Sequence, residues 1–166
     1  MFRKIDDFLA VWKGESESTL RVFSALTDAS LAQSVSPGGR TLARLCWHLA
    51  ETLGEMGHKA GLAVEAPEEN GAHPANAQSI AAAWKKASAS LVSQIGEQWN
   101  DAMLEDDLPM YGETWKRGTV LFILITHLAH HRGQITVLMR QAGLKVPGVS
   151  GPSKEEWAGM GLPPMA

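Results

Sequence analysis

Cysteine is nearly absent from this chain: Cys46 is the single one among 166 residues. No internal disulfide can form, and such usage fits a reducing compartment. Runs of Lys or Arg are missing as well. With 15 basic against 18 acidic side chains the net charge is −3. That balance lacks the electrostatic footprint that holds nucleic acid or draws a protein onto an anionic membrane. No hydrophobic run is long either. The longest, near residues 120–125, falls far short of the roughly 20 apolar residues that cross a bilayer. Asp6 and Asp7 interrupt the apolar part of MFRKIDDFLAVWK, so a secretory leader is not expected. These absences predict a cytoplasmic protein with neither nucleic acid nor membrane as partner.

Strand signals are scarce, and helical periodicity takes their place. The length is most economical for one domain spanning residues 1–166. A first helix is predicted over residues 2–27, with Ile5, Phe8, Leu9, Trp12, Leu20, Phe23 and Leu26 as its apolar positions. The turn SPGGR, residues 36–40, then breaks the chain. A second helix is predicted from an N-cap at Thr41 to about Gly61, and a third over residues 77–99 with Ile80, Trp84, Ala87, Leu91 and Ile95 inward. Between them, AVEAPEENGAHPANA is too rich in Pro and Gly to be helical throughout, and is long enough to cross the length of a bundle. Residues 100–116 read as irregular, with a short extended pair in LPMYGETW. The fourth helix, residues 117–142, stops at Gly143, a natural left-handed cap. The expected fold is all-α: a four-helix bundle with a long crossover connection and an irregular C-terminal tail that Trp157 pins down.

The chemistry concentrates in HLAHHRGQ, residues 127–134, which sets three histidines inside the most apolar helix. At about 100° per residue, His127 and His131 project about 40° apart on one face. They continue a seam through Val120, Leu124, Ile135 (or Gln134) and Leu138. His130 lies about 100° from His131 and cannot share its direction. On the second helix His48 borders the inward face, so three imidazoles from two helices can converge inside the bundle. That is how bundle metal sites are built. Three neutral imidazoles suit Zn²⁺, Ni²⁺ or Fe²⁺ and leave positions open for water or substrate. The bland alternative is a set of hydrogen-bonded core histidines, since H-x3-H pairs recur on helices by chance. Cys46 and His48 are about 200° apart and face opposite ways, which makes Cys46 a small core residue. His58 and His73 read as surface or loop residues, and Glu51 and Glu55 as solvated helix charges.

The H-x3-H-R-G-Q motif, with LCWHLAE upstream and GLKVPGVSGPSKEEW downstream, resembles the DinB/YfiT-like family of four-helix-bundle proteins. The resemblance spans about residues 5–157. It implies a metal-binding triad at His48, His127 and His131, holding a divalent transition metal whose identity stays open between Zn, Ni and Fe. It also implies pairing as a homodimer. Within the motif, Gly133 suggests close helix packing, because a mid-helix glycine costs about 1 kcal/mol relative to Ala. Arg132 points away from the site and suits a structural ion pair. Gln134 suits orientation of the site.

Relatives in that family include transferases that use low-molecular-weight thiols, and this implies a small-molecule substrate. An open metal position can bind a thiol, lower its pKa and present a thiolate. The first expectation is therefore a metal-dependent transferase adding a small thiol to an electrophile, with the substrate's own thiol as nucleophile and no catalytic side chain assigned. The second is a metal-dependent hydrolase with Glu51 or Glu55 as base, although no H-E-x-x-H arrangement places a Glu beside the ligands. The third is a non-catalytic site that stabilises the bundle or a dimer. The crossover and the region of Tyr111 and Trp115 are expected to border the cavity mouth.

Overall fold

The computed structural model describes residues 2–163. Four long helices dominate: α1 (Ile5–Ser24), α2 (Leu42–Lys59), α3 (Ala77–Gln98) and α4 (Arg117–Gln141). A hairpin of β1 (Asp107–Met110) and β2 (Glu113–Lys116) precedes α4, and a short α5 (Lys154–Trp157) follows it.

Local chemistry sets the helix ends. Thr41 accepts a hydrogen bond from Arg44 N at 3.2 Å, and Asn76 accepts one from Ser79 N at 2.8 Å. Caps of this kind contribute about 1 kcal/mol each. Helix α1 stops three residues before the expected Thr27, which instead exchanges hydrogen bonds with Ser30 to cap a short 3-10 turn. Gly143 closes α4 at φ +75°, as its sequence position implied. The extended pair expected in LPMYGETW is the hairpin. Tyr111 and Gly112 both take positive φ, 53° and 82°, the two-residue geometry that matches strand twist.

Helix α1 packs on α3 and α4, and α2 packs on the same two. Successive helices α1 and α2 are therefore diagonal, as are α3 and α4. Trp12 Nε1 donates to Ser88 Oγ at 3.0 Å and Trp84 Nε1 to Ser16 O at 3.2 Å, so α1 and α3 run antiparallel. The rings of Phe8, Trp12, Trp84 and Phe23 follow one another at 5.6, 6.1 and 5.7 Å. All four are essentially inaccessible, and a buried Phe contributes roughly 1.5–3 kcal/mol by leaving water.

The crossover between α2 and α3 runs back along the bundle, as its length predicted. Ala63 N donates to Gln94 Oε1 at 2.9 Å, Glu65 N to Ser90 Oγ at 2.8 Å, and Ala77 N to Asp28 Oδ1 at 2.8 Å. Helices α2 and α3 consequently point the same way. Two glycines of α2 admit this segment: a Cβ on Gly57 would lie 2.5 Å from Val64 Cγ2, and one on Gly54 2.7 Å from Ala66 Cβ.

The tail is mostly irregular, as expected, apart from one short helix, α5, which a capping box of Ser153 and Glu156 starts. Arg140 of α4 pairs with Glu155 at 2.6 Å, within the tail Glu156 accepts from Gly148 N at 2.8 Å, and Trp157 is half-buried. Val146 is buried, and Leu144 and Val149 pack on the core. No helix among the described residues is long and apolar enough to cross a membrane.

Candidate metal centre

Helices α2 and α4 pack together on the side of the bundle away from Trp12 and Trp84. Leu42, Leu45, Leu49, Leu53 and Met56 form the buried stripe of α2, and Val120, Leu124, Ile135 and Leu138 that of α4. His48 borders the first stripe, and His127 and His131 lie in the second. The rings meet pairwise: centroids are 5.1 Å apart for His48 and His127, 4.9 Å for His48 and His131, and 4.5 Å for His127 and His131. One nitrogen from each lies within 4.8 Å of the others, an arrangement that can hold a metal ion. The convergence expected from helix projection is present.

His130 stands outside this group. Its Nε2 receives the side-chain amide of Gln134 at 3.2 Å. The Gln134 carbonyl oxygen accepts from His131 Nδ1 at 2.7 Å. With its proton on Nδ1, His131 keeps an unprotonated Nε2 for a ligand, the usual division of labour for a metal-binding imidazole. Gln134 thus orients the triad from the exposed side of α4.

Burial keeps the imidazoles neutral. It lowers the pKa values of His48 and His127 to about 4, with mutual repulsion among the rings and the charge of Arg40 adding to the effect. The His131 pKa is lowered for the same first reason, its bond to Gln134 opposing. Among the described residues, no protein group hydrogen-bonds the ring nitrogens of His48 or His127. Unpartnered, neutral and converging nitrogens fit a divalent transition ion.

Other sequence readings need correction or refinement. Glu51 is not a solvated charge: it is only 3% exposed and forms an ion pair with Arg44, seven residues earlier. Arg44 also donates to Gly71 O at 3.0 Å, tying the crossover to α2. Glu55 is half-buried and faces the Tyr111 hydroxyl, whose pKa burial and that carboxylate push up. Cys46 is fully buried, and burial drives its thiol pKa up, so it remains a core residue. His58 and His73 are exposed, bonded through their rings to Val64 O and Pro74 O.

A pocket of about 460 Å³ is lined by Gln134, the residue bonded to His131, though by none of the three histidines themselves. Leu45, one turn before His48, meets Gln134 and Leu138, one and two turns beyond His131, and Arg40 reaches in from the SPGGR turn. The cavity wall is therefore this turn. Tyr111, expected at the mouth, stacks instead under Lys59 at the other end of α2.

A profile of the DinB family matches residues 1–164. The chain belongs to the DinB family. YrdA, an uncharacterized protein of Bacillus subtilis (strain 168), is 42% identical over 162 residues, covering 98% of this chain and 97% of its own. The crystal structure of a DinB-like protein from Bacillus cereus ATCC 10987 superposes with a TM-score of 0.87 at 38% identity, over 90% of this chain and 99% of that one. A second DinB-like protein, YjoA of Bacillus subtilis, shares the fold at TM-score 0.67 and 15% identity, over 86% and 97% of the two chains.

In this DinB chain the residues after His131 divide their work. Arg132 is 3% exposed and pairs with Glu15 at 2.6 Å, with further bonds to Ser18 Oγ at 2.9 Å and Thr19 Oγ1 at 3.1 Å. It ties α4 to α1, the structural role its direction implied. Gly133 does not serve close packing: a Cβ there would meet nothing within 4 Å, and nothing in the structure explains the glycine.

Proposed function

We propose that His48, His127 and His131 bind one divalent transition ion and that the protein is a transferase adding a small thiol to an electrophile. The observation that carries this reading is the triad itself: three neutral imidazoles, no fourth donor grouped with them among the described residues, and an adjoining pocket. An ion held by three protein ligands keeps positions open for exchange. When bound, it supplies Lewis acidity that keeps a coordinated thiol ionised near neutral pH.

The reaction forms one bond from the thiol sulfur to an electrophilic carbon. The thiol proton passes to solvent, and the displaced group leaves with its electron pair. Within the chain, Gln134 holds the His131 ring in the tautomer that leaves Nε2 free, and Leu45 and Leu138 give the adjoining pocket apolar walls. The nucleophile belongs to the substrate, since the one thiol of the chain is buried and protonated. The hydrolytic alternative has less support. Its candidate base Glu51 is engaged by Arg44, and Glu55 is turned towards Tyr111.

Elemental analysis of the untagged protein tests the reading first. About one transition ion per chain is expected, and its loss in His48→Ala. Cobalt-loaded protein titrated with L-cysteine should then develop a thiolate-to-cobalt absorption band. Metal-free protein that refuses Zn²⁺, Ni²⁺ and Fe²⁺ would overturn the proposal. Loaded protein without the thiol band would overturn the transferase and leave a metal-stabilised bundle.

A further inference from the structure

The SPGGR turn does more than break the chain: it sets an exposed cation, Arg40, in the pocket lined by Gln134. Its two ends are tied together. Ser34 and Thr41 form an isolated antiparallel bridge, and Leu42 N donates to Gln33 O at 2.9 Å. Within it, Gly39 N donates to Ser36 O at 2.9 Å and Gly38 takes φ +75°. Arg40 therefore leaves a fixed backbone position immediately before the N-cap of α2. Its guanidinium has no hydrogen-bonding or ion-pair partner among the described residues. It lines the same pocket as Gln134, which touches His131.

The cations nearest the three neutral rings are Arg40 and, for His48, Arg44, which Glu51 already pairs. A divalent ion bound there would raise the local positive charge further, and among the described residues no carboxylate is grouped with the three rings to offset it. Apart from Arg40 and Gln134 the side chains of the pocket wall are apolar: buried Leu45 and Leu138, and exposed Val35 and Val137. A single guanidinium fork matches one carboxylate in bidentate fashion, whereas a phosphate dianion calls for more donors than this wall provides.

We infer that this pocket is a substrate subsite for a carboxylate on a short branched apolar stem, with Arg40 as the residue that selects the negative charge. The inference deepens the transferase reading and rests on it for the identity of the molecule as substrate. The binding event itself needs only Arg40 and the pocket. Arg40 sets specificity and is not assigned to the reacting atoms. The carboxylate supplies the negative charge that the chain withholds from the metal centre, and the stem lies along Leu45, Val137 and Leu138.

The test uses the full chain, isotopically labelled, in metal-free and zinc-loaded forms. It is titrated with 4-methylpentanoate and with its neutral isostere 4-methylpentanamide while backbone amide shifts are followed. Zinc content is measured separately for wild type and Arg40→Gln, and an unfolding curve verifies that the variant folds. The carboxylate is expected to bind about tenfold more tightly than the amide even without metal, as a charge-assisted hydrogen bond allows. Shifts should be confined to residues 35–40, 45 and 134–138, and zinc should widen the preference. Arg40→Gln should bring the two ligands within about twofold of each other in the metal-free protein, and Arg40→Lys should restore part of the difference.

Equal binding of the two probes, binding of neither, or a preference that survives in Arg40→Gln would overturn the inference. The metal reading fails separately, through zinc content. If no zinc binds but the metal-free protein still prefers the carboxylate through Arg40, the subsite stands and the transferase does not.

Discussion

Arg132→Ala separates the two tasks carried by neighbouring residues of one motif. The guanidinium is 3% exposed and ends on Glu15, Ser18 and Thr19 of α1. Removing one partner of a buried ion pair costs about 3–5 kcal/mol, because the other charge loses its counterpart without regaining full hydration. Two features set the expected loss at the lower end. Glu15 is 27% exposed and can recover some water. Ser18 and Thr19 also retain their own bonds to Glu15 O, at 3.0 and 2.8 Å. The expected destabilisation is about 3 kcal/mol. For a chain of this size that corresponds to about 6–12 °C in Tm. Urea unfolding of metal-free protein gives the number without interference from ligand linkage, and zinc titration of the same variant should still give the wild-type stoichiometry. A loss below about 1 kcal/mol, the range of surface pairs, would refute the assignment of Arg132 as the tie between α4 and α1. Loss of zinc binding in a variant that folds normally would refute its separation from the site.

His131→Ala should abolish zinc binding while His130→Ala spares it, measured by titration with a competing chelator; equal loss in both would contradict the placement of His130 outside the triad. Gly133→Ala should stabilise the protein by about 0.5–1 kcal/mol with zinc affinity unchanged, because helix propensity improves and the added methyl meets nothing; destabilisation in urea would show a contact that the structure lacks. Folded-state pKa values of about 4 for His48 and His127 lie below the usual value of 6.5. The unfolded chain therefore binds more protons between these limits, and the stability tied to the neutral rings is fully present above about 6.5 and lost as pH falls towards 4. Metal-free wild type should accordingly lose more stability than His127→Asn when unfolding is compared at pH 7 and pH 4.5. A parallel fall in both would sink the assignment.

Much of this architecture was legible because the signals are local. Thr41, Asn76 and Gly143 punctuate helices whose apolar residues recur with the right period, and the i, i+4 spacing of His127 and His131 fixes their common direction. What escaped depends on partners far away in sequence. Glu51 looks solvated because no cation lies three or four residues from it on its inward side, yet Arg44 reaches it across two turns. Ser18 and Thr19 look like outward positions of α1 until Arg132 arrives from α4. Gly54 and Gly57 gain their meaning only when Val64 and Ala66 fold back over them. Arg40 was hidden by its setting, since a Pro-Gly-Gly turn announces a break and says nothing about where the next side chain points.

Helices α2 and α4 face each other across the bundle but come from opposite halves of the chain, separated by the crossover, α3 and the hairpin. The triad therefore has no precursor in any contiguous stretch of sequence. During synthesis His48 emerges early and waits, and no site exists until the last long helix has docked. An ion that then joined the two helices would close a long loop and draw the assembled state down in free energy by mass action. Metal capture would in this way act as a checkpoint on completed assembly, a record that the whole chain has arrived.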